Sequence, residues 1–512
     1  MICVPIRGAG NRRIRMGMNS QRFNELTMDY RLITINLLRS DYLKLAAILG
    51  LAMYLVFIPH SSDPYPVHLD EWWRMAESNA MMEIEDVTAT DPFYAPPKAS
   101  NAPGLEAGFC MFWGLFHEIS GLSWLTIIRY FPLLIFAIDV ITAFLLGRRK
   151  GFGWQAALMV SLIPTSVGIL GPGFLVPVAM GLPLVLLLLY IALTFRHLPG
   201  YVALFLLMCF LLLMHPPSAA ALVLLIGPYI LLSFKDEWKH GLATGLSLAL
   251  PFLPVVLVAD REKIERILRP MFDGEIKNTI AWPDLIEGYG YLVAILCVLG
   301  VLFLVKDGKR WGYGLVAGLT LLLAMLVTYS QFHMGLEIMY SRGLLYAMLG
   351  MGLIGGYGLA ATGNLQLPEK LSSKIRPAFA GRNTGNILCF IFIAATLALS
   401  IPARQGADYY HKIDGDDYKA FMWIDENLGE QYDKAILDPF QAVAFTALTG
   451  RKVYSSMFET NDQRARNTHR FLSSGCADTE FLKNKNISIV YTWRKCNNPD
   501  LTKIREDIYV LK

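Results

Sequence analysis

Apolar runs of about 16–22 residues, long enough to cross a hydrocarbon core as helices, recur along most of this chain. Their positions predict eleven spans, at roughly 43–59, 124–146, 154–170, 174–195, 199–214, 217–233, 242–259, 289–305, 312–329, 343–360 and 385–402. A twelfth apolar stretch, 105–120, is interrupted by Glu106, His117 and Glu118 and reads as a juxtamembrane or re-entrant helix. After residue 402 the pattern changes. Asp416 to Leu428 has a helical period carrying Phe421, Trp423 and Ile424, whereas 434–438, 452–455 and 487–491 read as short strands. Strands alternating with helices predict a small α/β domain, and about 110 residues suffice for a modest core. The expected fold is therefore an α-helical polytopic membrane protein of about 11 transmembrane helices. It has a basic segment at 1–42, a membrane domain at 43–402 with a large first external loop at 60–123, and an external α/β domain at 403–512.

Composition agrees with this picture, and charge orients it. The 512 residues are 54% hydrophobic and 17% charged, against about a quarter charged in soluble proteins. The first forty residues carry seven Arg against Glu25 and Asp29, with no small-residue cleavage signal, which predicts an uncleaved cytoplasmic N-terminus. If 105–120 does not span, the clusters Arg148-Arg149-Lys150, Lys235/Lys239, Lys306/Lys309/Arg310 and Lys370/Lys374/Arg376/Arg382 all fall on that same side. The parity then sends the first loop, the 260–288 loop, 330–342 and the C-terminal domain to the external face of the cell membrane. Cys476 and Cys496, in that polar domain, are a candidate disulfide. The sequence has no phosphate-binding Gly-Lys-Ser/Thr loop, no clustered zinc spacing and no Gly-x-Ser-x-Gly elbow, which counts against ATP-driven transport and serine hydrolysis.

The candidate chemistry starts in the first loop, where Ser61–Gly121 holds ten Asp/Glu against two Lys/Arg. Asp70 and Glu71 open a predicted amphipathic helix running to about Glu85. Its Trp72, Met75, Ala76 and Met82 recur at helical spacing, so the expectation is a helix lying in the membrane interface. One reading is purely structural, with Asp70 the N-cap and Glu71 a partner of the helix dipole. The functional reading uses a carboxylate at the membrane surface to take a proton from an acceptor hydroxyl or to help hold a divalent metal. Asp91 is the second acid such a metal needs, and equally a turn former before Pro92. His215 precedes two prolines and reads as ligand or helix-start device. Arg342 reads as a phosphate fork or as a snorkelling side chain. Asp139 lies well inside a span, as a functional or inter-helix hydrogen-bonding group.

The whole pattern resembles the GT-C superfamily of integral membrane glycosyltransferases. His68-Leu69-Asp70-Glu71-Trp72 occupies the place of that family's acidic motif. Leu105–Gly121 followed by Arg129-Tyr130-Phe131-Pro132 is similar to the amphipathic segment and Arg that come next, and Tyr340-Ser341-Arg342 is placed like a late Arg that contacts lipid phosphate. Ile487–Tyr491 with Cys496-Asn497-Asn498-Pro499 looks similar to tail domains on archaeal membrane proteins of this class. The oligosaccharyltransferase hallmark Trp-Trp-Asp-Tyr-Gly is missing despite Trp72-Trp73, which favours transfer of a single sugar.

The resemblance implies a donor of the polyprenyl- or dolichyl-phosphate sugar type, a glycan, lipid or protein acceptor, and direct displacement with Asp70 or Glu71 as base. It implies His68, Trp72, Asp91, Glu106, Arg129, His215, Tyr340 and Arg342 around the substrate. A divalent metal, Mg or Mn, would fall to Asp70 and Asp91. Membrane lipids are the surrounding partners, and nucleic acid is not expected. The rival readings are a non-catalytic binding or assembly subunit on the same scaffold, and a secondary transporter or lipid flippase. The last is weakened by the lack of two similar halves.

Overall fold

The computed structural model describes residues 41–100, 104–254 except 167, 289–364, and 383–512 except 408, 410 and 458–462. The arginine-rich N-terminal segment, the 260–288 loop and the Lys370–Arg382 cluster lie outside the described residues. Contacts divide the chain at Ala47, and the features discussed below belong to the larger unit, Ile48–Lys512.

Seven helices among the described residues are long and apolar enough to cross a membrane: Asp41–His60 (α1), Trp124–Lys150 (α4), Pro177–Thr194 (α6), Pro216–Ser233 (α8), Arg310–Phe332 (α11), Glu337–Gly363 (α12) and the helix ending at Gln405 (α13, Asn383–Gln405). Shorter helices lie between them: Leu69–Ile84 (α2), Ala107–Ser120 (α3), Gly153–Ser161 (α5), Leu198–Met214 (α7), Trp238–Ala249 (α9) and Tyr291–Asp307 (α10). The protein is a helical, multi-pass membrane protein.

The span expected at 154–170 is not one. α5 has nine residues, and the chain leaves it before Pro164. Proline has no N–H for the helix ladder and pushes the preceding residue out of the helical region. The non-helical stretch that follows folds back into the protein, with Phe174, Leu175 and Val176 buried. Apolar content alone does not separate such a buried loop from a span.

The C-terminal region forms Gly415–Asn427 (α14), Ala442–Thr449 (α15), Gln463–Ser473 (α16) and Thr479–Asn484 (α17) around a five-stranded sheet. Its strands are Lys434–Ile436 (β1), Lys452–Val453 (β2), Ile489–Tyr491 (β3), Leu501–Arg505 (β4) and Ile508–Leu511 (β5), in the order β2-β1-β3-β5-β4. β1 pairs in parallel with β2 and β3, while β5 runs antiparallel between β3 and β4. The last hairpin escapes the sequence pattern because Lys503, Arg505, Glu506 and Asp507 crowd its edge and turn. Cys476 and Cys496 are joined in a disulfide.

The sheet domain and the first loop share one core. Trp72, Phe93, Phe109 and Trp113 from the loop cluster with Phe421, Phe445, Ile489 and Tyr491 from the domain. Asn79 Nδ2 donates to the Ala447 carbonyl at 3.2 Å, and the hydroxyls of Tyr94 and Ser456 lie 2.6 Å apart. This corrects the expectation for Trp72, which has no solvent exposure and packs inside this core. The apolar stripe of α2 is covered by protein, with α15 against it, and does not present Trp72 to the interface or to a substrate.

Candidate functional site

α2 begins where the backbone runs out of helical partners, and His68, not Asp70, is its N-cap. His68 Nδ1 accepts from the Asp70 N–H at 3.1 Å, and Glu71 Oε2 reaches back to the His68 N–H at 3.1 Å in a capping box. Glu71 does more than cap. Its Oε2 also accepts from Val67 N at 3.1 Å, and its Oε1 accepts from Leu175 N at 2.9 Å. One buried carboxylate thus pins the start of α2 to the irregular 162–176 stretch. Burial pushes its pKa up to about 7 against the pull of those three N–H groups. Both oxygens are committed to backbone, so Glu71 does not act as base in this arrangement. Glu71→Gln keeps one acceptor and turns an NH2 toward an N–H. It is expected to destabilise the protein by about 1–3 kcal/mol, read as a lower denaturation midpoint.

Asp70, one residue earlier, points away from these backbone groups and stays partly exposed at 17%. Its Oδ2 lies 3.6 Å from Arg342 Nη2, and its Oδ1 lies 3.7 Å from His68 Nδ1. Arg342 sits in the second turn of α12, so two positions 272 residues apart in sequence meet at the mouth of the helices. The 3.6 Å separation is a loose ion pair rather than a hydrogen bond.

Beneath this pair lies a buried polar network. Glu106 Oε2 accepts from Arg74 Nη2, and Arg74 Nη1 donates to Glu77 Oε2 at 2.7 Å. The Arg74 guanidinium also lies 4.4 Å over the Trp73 ring. Glu106 Oε1 lies 3.2 Å from His215 Nε2, though off the line of a well-directed hydrogen bond. Burial opposes the charge on Glu106, but the His215 contact and the nearby Arg74 and Arg342 outweigh it and lower its pKa. On its far side His215 Nδ1 contacts Ser218 Oγ, which contacts Tyr346 Oη. One proton assignment fits the relay: Tyr346 donates to Ser218, Ser218 donates to His215 Nδ1, and the Nε2 proton lies on the side of Glu106.

His215 is held there because it ends α7 and begins α8, with Pro216 and Pro217 forcing the break. Gly181 on α6 makes room for this contact. A Cβ there would stand 2.2 Å from Ser218 Oγ and 2.7 Å from Tyr346 Oη.

Of the residues singled out from sequence, the structure brings His68, Asp70, Glu71, Glu106, His215 and Arg342 into this one region. It places others elsewhere. Asp91 Oδ1 accepts from Phe93 N at 2.8 Å, in a turn whose Phe93 carbonyl receives the Val453 N–H. Arg129 Nη2 donates to the His60 carbonyl at 3.2 Å and lies 5.5 Å from the Phe57 ring. Tyr340 is buried and stacks on Tyr329 at 4.8 Å. Asp139 is fully buried in α4, with neither carboxylate oxygen hydrogen-bonded among the described residues.

Arg74, Glu77, Ser218 and Tyr346 were not anticipated. The signals were faint: Arg74 is one of two basic residues among ten acids, and Tyr346 falls one helical turn after Arg342.

The expected metal pair is tested by the same geometry. Asp70 faces a guanidinium, Asp91 is spent on its own turn, and among the described residues no group of three or more His, Cys, Asp or Glu is placed to hold a metal. A divalent cation beside Asp70 would meet the charge of Arg342, so the donors present do not fit Mg or Mn.

The chain matches no protein-family model and no curated protein. Solved structures resemble it in shape. The apo oligosaccharyltransferase of Archaeoglobus fulgidus superposes with a TM-score of 0.61 at 12% identity, over 88% of this chain and 69% of that one. The archaeal oligosaccharyltransferase AglB of the same organism, in complex with an inhibitory peptide and a dolichol-phosphate, gives 0.60 at 13% identity, over 87% and 69%. The mycobacterial arabinofuranosyltransferase AftD gives 0.52 at 15% identity, over 90% of this chain and 37% of that one. The chain shares their fold. At these identities the likeness speaks for architecture, and that fold frames a site whose roles must be argued from its own residues.

Proposed function

We propose that this protein is a membrane glycosyltransferase that moves a single sugar from a polyprenyl- or dolichyl-phosphate donor to an acceptor hydroxyl at the external membrane face. The observation that carries the reading is the meeting of Asp70 and Arg342 at the mouth of the helices, 3.6 Å apart and both partly exposed. A base and a phosphate-binding fork are the two groups the reaction needs side by side.

In the displacement, the acceptor O–H gives its proton to Asp70 as its oxygen bonds to the anomeric carbon. The bond from that carbon to the phosphate oxygen breaks, and its electron pair leaves with the phosphate. Before this step, as the donor arrives, Arg342 exchanges its loose contact with Asp70 for two parallel hydrogen bonds to phosphate and so frees the carboxylate. Arg74 and Glu106 hold the floor, and His215 braces Glu106.

The test is transfer of radiolabelled sugar from a panel of polyprenyl-phosphate monosaccharides by the purified full chain. Arg342→Gln is expected to lower transfer by about 10²–10³-fold, the cost of losing one donor to a developing anion. Arg342→Lys should recover only part of it, because an ammonium cannot make the fork. A donor that binds without being consumed would favour the non-catalytic binding subunit.

A further inference from the structure

The small sheet domain carries a cavity of about 410 Å³ beyond the candidate site, lined by Trp493, Lys495, Lys503, Glu506, Asp507 and Tyr509 among others. That volume is within the range of about 300–1,000 Å³ typical of small-molecule sites. Trp493 is 78% exposed, a large apolar surface to leave in water on a domain whose other aromatics mostly pack inside. The backbone that carries it is tied down. The loop that carries it, 492–499, is tied at Cys496 by the disulfide to Cys476, and Asn498 Nδ2 donates to the Cys476 carbonyl at 2.8 Å. Asn497 N donates to the Gly475 carbonyl at 2.9 Å, and Thr492 N to the Asp507 carbonyl at 3.0 Å. Arg494, whose guanidinium lies 5.0 Å from the Trp493 ring centroid, is anchored to Ser473 Oγ at 3.1 Å. A backbone fixed before binding lowers the ordering cost of seating a ligand on the side chain it carries.

The charges lining the cavity narrow the ligand. Lys495 and Lys503 line it together with Glu506 and Asp507, and the Arg494 guanidinium stands beside Trp493, so charges of both signs are interleaved around the cavity. The carboxylates disfavour a phosphate, a nucleic acid or an anionic headgroup, and the lysines disfavour a cation. What remains is a neutral molecule with many hydroxyls, each able to donate to a carboxylate and accept from an ammonium. A pyranose ring also presents a face of C–H groups, whose partial positive charge suits the negative face of an indole.

We propose that this cavity is a carbohydrate-binding site, with Trp493 as the stacking platform and Lys495, Lys503, Glu506 and Asp507 as hydroxyl partners. It takes one or two rings of a neutral glycan. The site stands independently of the transfer reaction, because binding there requires neither Asp70 nor Arg342.

The test uses the full chain in nanodiscs free of sugar-based detergent, with maltotriose, mannotriose and glucuronic acid as probes, followed by saturation-transfer NMR. At least one neutral trisaccharide is expected to receive saturation at its ring C–H protons, with glucuronic acid receiving much less. Trp493→Ala should weaken that binding at least tenfold without changing the denaturation midpoint, and Trp493→Phe should retain part of it. Binding unaffected by Trp493→Ala, or no binding of either trisaccharide, overturns the proposal. Loss of phosphatidylglycerol-vesicle binding by the purified chain on Trp493→Ala, with sugar binding unchanged, would make Trp493 a membrane anchor instead.

Discussion

Replacing Asp70 with Asn is expected to lower sugar transfer by about 10²–10⁴-fold, the usual contribution of a positioned base. The amide nearly matches the carboxylate in shape, and the Asp70 backbone N–H, which caps onto His68, is untouched. The fold should therefore survive, and the loss should appear in kcat more than in donor binding. Asp70 competes with phosphate for Arg342, so its neutralisation releases the guanidinium and should tighten the donor while chemistry slows. A combination of lower kcat with equal or lower KM for the lipid-phosphate sugar identifies this exchange. Near-wild-type transfer by Asp70→Asn would remove Asp70 from the role of base.

The second large effect is on stability and falls at Glu106. This carboxylate is buried between Arg74 and His215. Its truncation in Glu106→Ala leaves the Arg74 charge with only Glu77 and is expected to cost about 3–5 kcal/mol. Removing the charge and both of its carboxylate partners tests the cause, since Arg74→Met with Glu77→Gln and Glu106→Leu should recover much of the loss.

The same carboxylate makes stability depend on pH, with a definite sign. Its folded pKa lies below the ordinary value of 4.5, so the native state binds this proton less readily than the unfolded chain. Its contribution is complete above about pH 4.5 and is lost as pH falls through the lower folded value. Denaturation midpoints measured across pH 3 to 7 should fall more steeply at the acid end for wild type than for Glu106→Gln. Parallel curves would show that Glu106 is not the group responsible.

Much of this arrangement was legible in the chain, and the reasons for the rest are physical. The extent of α2 followed from its period, and Leu69–Ile84 lies within a residue of the expected helix, although its N-cap is His68 and not Asp70. Asp70, Glu106, His215 and Arg342 were expected around one substrate from the resemblance and the parity of the spans, and they do lie together, whereas Trp72, Asp91, Arg129 and Tyr340, expected with them, do not. The division of labour between Asp70 and Glu71 was not legible. Adjacent acids look alike in a sequence, and only the fold shows that Leu175, more than a hundred residues on, donates to Glu71 and not to Asp70. Trp72 was misjudged for a related reason: periodicity shows that a helix has an apolar face, not whether lipid or α15 covers it. The short α5 shows the same limit, since hydropathy counts carbon and does not register the missing N–H of Pro164.

The shared core of loop and sheet also has a consequence in time. Asn79 and Ala447, which hydrogen-bond to each other, are separated by 368 residues. At about 5–20 residues per second, a ribosome takes on the order of tens of seconds to make the intervening chain. Throughout that interval Trp72, Phe93 and Phe109 lack Phe421, Phe445, Ile489 and Tyr491, and α2 has α3 beside it but not α15. In the nascent polypeptide the acidic loop is thus not yet joined to its partners in the sheet. Any chaperone that shields it must hold on until residues beyond 440 emerge. A chain truncated before that point would contain Asp70, Arg342 and every membrane helix described here, yet remain inactive and prone to degradation.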